Sequence, residues 1–159
     1  MLKVTDLMTT ELFTVRSTDS LKTARSMMSL ARIRHIPVVD ADYHFIGLLT
    51  HRDILSASLS RFAEVDKETQ DEIESGIPIS EAMRTDVTTV SPDLPLRNAA
   101  EILLHHKYGC LPVVNEDNGK ELVGILTEAD FLKLTISLMD AMDSLDTLDD
   151  ADVMDDREQ

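Results

Sequence analysis

The chain has 159 residues, 43% of them apolar, but only four Phe, two Tyr and no Trp, so any buried interior has to be mostly aliphatic. A formal net charge of −15 argues against a surface for polymeric nucleic acid, where Lys and Arg contacts to phosphate dominate affinity. A single cysteine, Cys110, excludes an intramolecular disulfide, and the chain has neither a run of about 18 apolar residues nor a signal-like Met1-Leu-Lys-Val-Thr-Asp start, so the expectation is a soluble cytoplasmic protein without a membrane partner.

Taken in chain order, Val4–Thr9 reads as a short helical turn that Asp6 can cap, followed by a Thr14-Val15 strand. Ser17, Thr18, Asp19 or Ser20 can open a helix whose apolar positions Ala24, Met27, Met28 and Ala31 keep helical spacing. Ile36-Pro37-Val38-Val39 predicts a short apolar strand, Asp40–Tyr43 a hairpin turn, and Phe45–Thr50 the partner strand. A helix then starts around Thr50 and Asp53, and Ile54, Leu55, Leu59 and Phe62 extend its apolar face into an acidic connection ending Ser75-Gly76-Ile77-Pro78.

The order then repeats. Ile79–Arg84, with Ser80 as a cap candidate, answers Val4–Thr9, Thr89-Val90 answers Thr14-Val15, and the helix with Ala99, Ile102, Leu103 and His106 answers the first. Leu111-Pro112-Val113-Val114 repeats the strand, and Gly124-Ile-Leu-Thr127-Glu-Ala-Asp130 repeats Gly47-Leu-Leu-Thr50-His-Arg-Asp53 after a two-residue turn insertion. So many matches in fixed order indicate an internal duplication: residues 1–56 and 79–134 as two copies, 57–78 as an acidic helical or loop linker, and 135–159 as an acidic tail. Each unit is β-α-β-β-α in a mixed α+β fold, and about 55 residues bury too little alone, so the copies are expected to pack as one body. In the tail, Leu134, Leu138, Met142, Leu145 and Leu148 line one side of an amphipathic helix and Asp140, Asp143, Asp146 and Asp150 stand between them. That helix can pack on the module, pair with a second subunit or dock on a protein partner; residues 151–159 read as frayed.

The repeated Gly-x-x-Thr-x-x-Asp segment carries the chemistry. Glycine permits close approach to the backbone, and the Thr hydroxyl and Asp carboxylate share one side of the first helical turn. A carboxylate accepts two hydrogen bonds from a ribose diol, and exposed helix-start amides favour phosphate. The same Thr-x-x-Asp spacing is also that of an ordinary capping box.

With Met8-Thr9, Thr14-Val15, Ile36–Asp40, Gly47–Asp53 and their counterparts in place, the chain resembles the CBS-domain pair (Bateman module), the regulatory unit attached to IMP dehydrogenase, chloride channels and the gamma subunit of AMP-activated kinase. The resemblance covers 4–56 and 79–134. It implies pseudo-twofold packing, frequent homodimer formation through helical faces, and two clefts for adenosine ligands such as AMP, ADP, ATP or S-adenosylmethionine, with no cofactor required. It further implies that Thr50, Asp53, Thr127 and Asp130 take riboses, while Arg34, His35, Ile36, Pro37, Gly109, Cys110, Leu111 and Pro112 flank the bases. Thr14 and Thr89, near the ends of Thr9–Thr14 and Arg84–Thr89, would complete the walls.

The copies are unequal at their variable positions. Copy one carries His51 and Arg52 inside the motif and Arg32 and Arg34 before its strand, whereas copy two carries Glu128, Ala129, Lys107 and Gly109. The expectation is a phosphate-tolerant cleft in copy one and a weaker, nucleoside-selective or empty cleft in copy two, where Glu128 would repel phosphate. His35 reads equally as a cleft wall or a half-buried residue at a strand start. His105, His106 and Cys110 lack the spacing of a structural zinc site, and Cys110 reads as a small buried hydrophobe. With no Walker loop and no nucleophile–base pair, the expected function is a stand-alone, non-catalytic sensor. The rival is an interaction protein working through its tail helix.

Overall fold

The computed structural model describes residues 1–59 and 64–155, with the side chains of Leu59 and 148–155 outside that description. Phe62, expected on the face continuing from Ile54, and the side chain of Leu148 therefore lie outside the described residues. Each copy contributes one helix, an antiparallel two-stranded sheet and a second helix. In copy one these are α1 (Leu21–Ala31), β1 (His35–Val39), β2 (Phe45–Thr50) and α2 (His51–Leu59). In copy two they are α4 (Leu96–His106), β3 (Cys110–Asn115), β4 (Glu121–Thr127) and α5 (Glu128–Asp155), with α3 (Lys67–Ser75) between the copies.

Local chemistry accounts for these elements. Of the four candidate openers of α1, Ser20 is the cap, its hydroxyl accepting from the Thr23 amide at 3.2 Å. Leu21, Ala24 and Met28 then bury one face. Both sheets carry a bulge at the same place, after Val38 and after Val113. The Asp40 carboxylate closes the β1–β2 turn by accepting from the Asp42 and His44 amides at 2.9 and 3.0 Å.

Several sequence expectations are corrected. The Thr14-Val15 and Thr89-Val90 strands shrink to single parallel bridges, Val15 to Val38 and Val90 to Val113. Each valine uses both its amide and its carbonyl on the neighbouring strand, Val15 with Pro37 and Val39, Val90 with Pro112 and Val114, and the pairing goes no further. Asp6 stabilises its 3-10 turn from inside, accepting from the Lys3 amide at 2.7 Å, and Ser80 lies within the second turn, Ile79–Glu81. His106 is exposed rather than on the apolar face of α4, its ring stacked on Tyr108 with centroids 5.2 Å apart. The connection contains a separate helix, α3, capped by Asp66 accepting from the Thr69 amide at 2.8 Å. The last helix of copy two and the tail form one 28-residue helix running through Asp155, past the point where fraying was expected.

The packing units differ from the sequence repeats because each copy's opening segment crosses to the other. The Leu21 amide donates to the Ile77 carbonyl at 2.9 Å and the Ile79 amide to the Asp19 carbonyl at 2.8 Å, seating the start of copy two on copy one. Reciprocally, the Val4 amide donates to the Leu94 carbonyl at 2.9 Å and the Leu96 amide to the Leu2 carbonyl at 2.8 Å. One core accordingly combines Val15, Leu21, Ala24, Ile36, Leu49 and Ile54 with Ile77 and Ile79, and the other combines Val90, Ala99, Leu103, Leu111 and Leu126 with Val4. A third cluster, Val39, Val114 and Leu122, joins the two sheets.

Candidate functional site

The crossed openings build the site. Leu48 of β2 and Arg84 exchange backbone hydrogen bonds at 2.8 and 2.9 Å, and Ile125 of β4 exchanges the same pair with Thr9 at 2.9 and 3.0 Å. The repeated glycines make these approaches possible. A Cβ on Gly47 would stand 2.9 Å from the Arg84 carbonyl oxygen, and one on Gly124 2.6 Å from Met8 Sδ. What comes close to the glycine is thus the opening segment of the other copy, not a ligand.

A cleft of about 670 Å³ opens where the copies meet. Copy one supplies Arg34, His35, Leu48, Thr50, His51, Arg52 and Leu55; copy two supplies Arg84, Asp86, Val87, Thr88, Lys107, Tyr108, Gly109, Cys110 and Glu128. Four fixed cations (Arg34, Arg52, Arg84 and Lys107) face two carboxylates, in a chain of net charge −15. Anions are therefore drawn to this place on an otherwise acidic molecule. The expectation that Glu128 burdens only a second cleft is corrected: it lines the same cleft as His51 and Arg52, because both strand starts meet at the pseudo-twofold axis. There the His35 ring lies so close to Gly109 that a Cβ on the glycine would be 2.6 Å from Nε2.

The Thr50–Asp53 segment is a complete capping box, and Thr127–Asp130 makes the carboxylate half of one. Asp53 Oδ2 accepts from the Thr50 amide at 2.9 Å and its hydroxyl at 2.7 Å, and the Asp53 amide donates to Thr50 Oγ1 at 3.2 Å. Asp130 Oδ2 accepts from the Thr127 amide and hydroxyl at 2.8 and 3.1 Å. Capping and ligand binding do not exclude each other here, since capping uses only one carboxylate oxygen. In copy one the other, Oδ1, accepts from Arg84 Nε at 2.8 Å, with the Asp53 side chain 10% and the Arg84 side chain 57% exposed. In copy two Asp130 Oδ1 has no hydrogen-bonding or ionic partner among the described residues, Thr9 standing where copy one receives Arg84.

The remaining expected residues divide plainly. Ile36, Pro37, Leu111 and Pro112 are buried strand residues, and Thr14 and Thr89 are half-buried outside the cleft lining. Asp53, Thr127 and Asp130 are also outside that lining. Val87, Thr88 and Tyr108 line the cleft without having been singled out individually in the sequence; the Thr88 hydroxyl donates to the Tyr108 oxygen at 3.3 Å. Burial holds the His35 imidazole below its ordinary value; Arg34 acts in the same direction, and Glu128 and Asp53 oppose it. Burial alone pushes the Cys110 thiol up to about 12, which denies it nucleophilic character. Asp40, Asp42 and His44 bring ligand-type atoms within 4.8 Å of one another, but Asp40 is committed to turn amides and to His44 Nδ1 at 3.2 Å.

The CBS domain family profile matches residues 4–60 and 79–137. The chain is 32% identical to the CBS domain-containing protein YhcV of Bacillus subtilis over 130 residues, 82% of this chain and 83% of that protein. It also aligns with a homoserine O-acetyltransferase of Methanococcoides burtonii at 30% identity, but spans only 24% of that enzyme's length. Among solved structures, a Vibrio cholerae protein assigned to acetoin utilization (AcuB) superposes with a TM-score of 0.74 at 35% identity, covering 91% of this chain and 97% of that one. The CBS domain pair of protein MJ0100, solved with 5-methylthioadenosine and S-adenosyl-L-methionine, superposes at 0.67 with 25% identity, covering 84% and 99%. The chain belongs to the CBS domain family and carries two such domains in tandem.

Proposed function

We propose that this chain is a regulatory module that binds adenosine ligands in the cleft between its two copies and catalyses no reaction itself. The observation that carries this reading is the convergence of Thr50 and four cationic side chains from both copies on one cleft of an acidic protein. The Thr50–Asp53 box offers a carboxylate for a ribose diol, and Arg34, Arg52, Arg84 and Lys107 can meet phosphate. Binding there would change how the copies sit on each other, because the cleft walls come from both. The adenosine ligands of the MJ0100 domain pair support the same ligand class.

A thermal-shift series with AMP, ADP, ATP and S-adenosylmethionine tests this. A ligand at 100 times its dissociation constant stabilises by about 2.7 kcal/mol, so at least one should raise the melting temperature by several degrees; no shift with any of them contradicts the reading. A second reading rests on α5, where Leu138, Met142 and Leu145 are 57%, 65% and 62% exposed. Such a stripe suits an interaction protein whose tail helix meets a second subunit or a protein partner while the clefts stay empty. Sedimentation of the full chain and of a chain ending at Ser137 separates the two: equal sedimenting species remove the support for self-association through α5.

A further inference from the structure

Three observations at the start of α2 belong together. Asp53, the ribose candidate, does not line the cleft, although Thr50 on one side and Arg84 on the other do. Its Oδ2 is occupied by the Thr50 amide and hydroxyl, and its Oδ1 by Arg84 Nε at 2.8 Å. Arg84 comes from the other copy and is fixed at its backbone by the exchange with Leu48 that Gly47 permits, while its side chain is free enough to move, being 57% exposed.

We propose that Arg84 is a latch on the ribose site of this cleft and makes it selective for phosphorylated adenosine ligands. The inference rests on the adenosine reading above. A ribose diol needs Asp53 Oδ1 and must displace the guanidinium. A bare nucleoside offers nothing in return, and it leaves a nine-tenths buried carboxylate to exchange a charged donor for neutral hydroxyls. A nucleotide offers its phosphate, to which the guanidinium can turn while its backbone stays anchored on β2. One side chain therefore opposes nucleosides and favours nucleotides. Copy two differs in kind, since Thr9 occupies the equivalent place and Asp130 Oδ1 has no partner among the described residues.

Calorimetric titration of adenosine and AMP into the full-length Asp130→Asn protein, with and without Arg84→Gln, tests the latch in the first cleft alone. Arg84→Gln should tighten adenosine binding about threefold to tenfold, the range for freeing a partly exposed ion pair, and weaken AMP about tenfold or more through loss of the charged phosphate donor. A merely structural role for Arg84 would move both affinities the same way. Parallel changes, or none, with AMP still bound by the parent protein, overturn the latch and leave the adenosine reading standing. If neither the natural chain nor any variant binds either ligand, the latch falls, and the adenosine reading falls with it only if ADP, ATP and S-adenosylmethionine also fail to bind. Arg84→Lys, which keeps the charge without the fork, should retain most AMP affinity; loss equal to Arg84→Gln would also count against the mechanism.

Discussion

Residues in this protein are set by what approaches them across the pseudo-twofold axis. Gly47 is the clearest case: a Cβ there would meet the Arg84 carbonyl oxygen at 2.9 Å, a backbone atom with nowhere to go, whereas at Gly124 the nearest atom is the flexible Met8 sulfur at 2.6 Å. Gly47→Ala should therefore cost about 1–3 kcal/mol and Gly124→Ala less, as read from urea unfolding; the reverse order would contradict the account. A trade of stability for charge is visible at Lys107 and Arg32, which end α4 and α1 with φ of 54° each. Glycine at either position should stabilise by up to about 1 kcal/mol, but only Lys107→Gly removes a cleft cation and should weaken AMP. His35 adds a pH signature. Its folded value is depressed below the ordinary 6.5, so the unfolded chain takes up the proton first. The stability contribution is complete above about pH 6.5 and is lost as pH falls below it. Replacing His35 by Gln should flatten the decline in melting temperature between pH 7 and 5, and an unchanged decline would argue against this.

At the scale of elements, the way the linker helix α3 is anchored is the largest departure from what the sequence suggested, which was a helical or loop linker continuing α2. Glu74 is completely buried and gathers Arg25 Nη2 at 2.7 Å, the Ser58 hydroxyl at 2.8 Å and Gln70 Nε2 at 3.3 Å on Oε1, while Oε2 has no hydrogen-bond partner among the described residues. This polar knot fastens α3 to α1 and α2. Glu74→Ala should cost about 2–3 kcal/mol, discounted from the value for a fully buried pair because Arg25 is 34% exposed. It should also raise amide exchange across α3 first; a loss within 0.5 kcal/mol would show the knot to be dispensable. None of this was legible beforehand, because an acidic segment such as Lys67–Ser75 has the composition of a solvated connection and its one buried carboxylate looks like its exposed neighbours. The helices α1 and α4 were legible because their apolar spacing is regular. His106 broke the pattern since α4 ends at that residue and its ring finds Tyr108 instead of the core.

At the scale of the whole molecule, the duplication was plain in sequence but the exchange of opening segments was not. Nothing in Ile79 or Val4 distinguishes a residue packed within its own copy from one packed in the other. Ile79→Ala should cost about 2–5 kcal/mol although it lies outside copy one in sequence, and unfolding should be a single transition by both circular dichroism and Tyr fluorescence. Two separated transitions would mean the copies are independent bodies. The cleft shares this history: its individual cations were visible in the sequence, but their meeting with Glu128 and Asp86 in one place depends on the crossing. The most direct measurement is a crystal structure of the full chain grown with AMP. The account predicts AMP in this cleft with its ribose on Asp53 Oδ1 and Arg84 turned to the phosphate; an empty cleft at millimolar AMP, or AMP bound elsewhere with the Arg84–Asp53 pair intact, would contradict it.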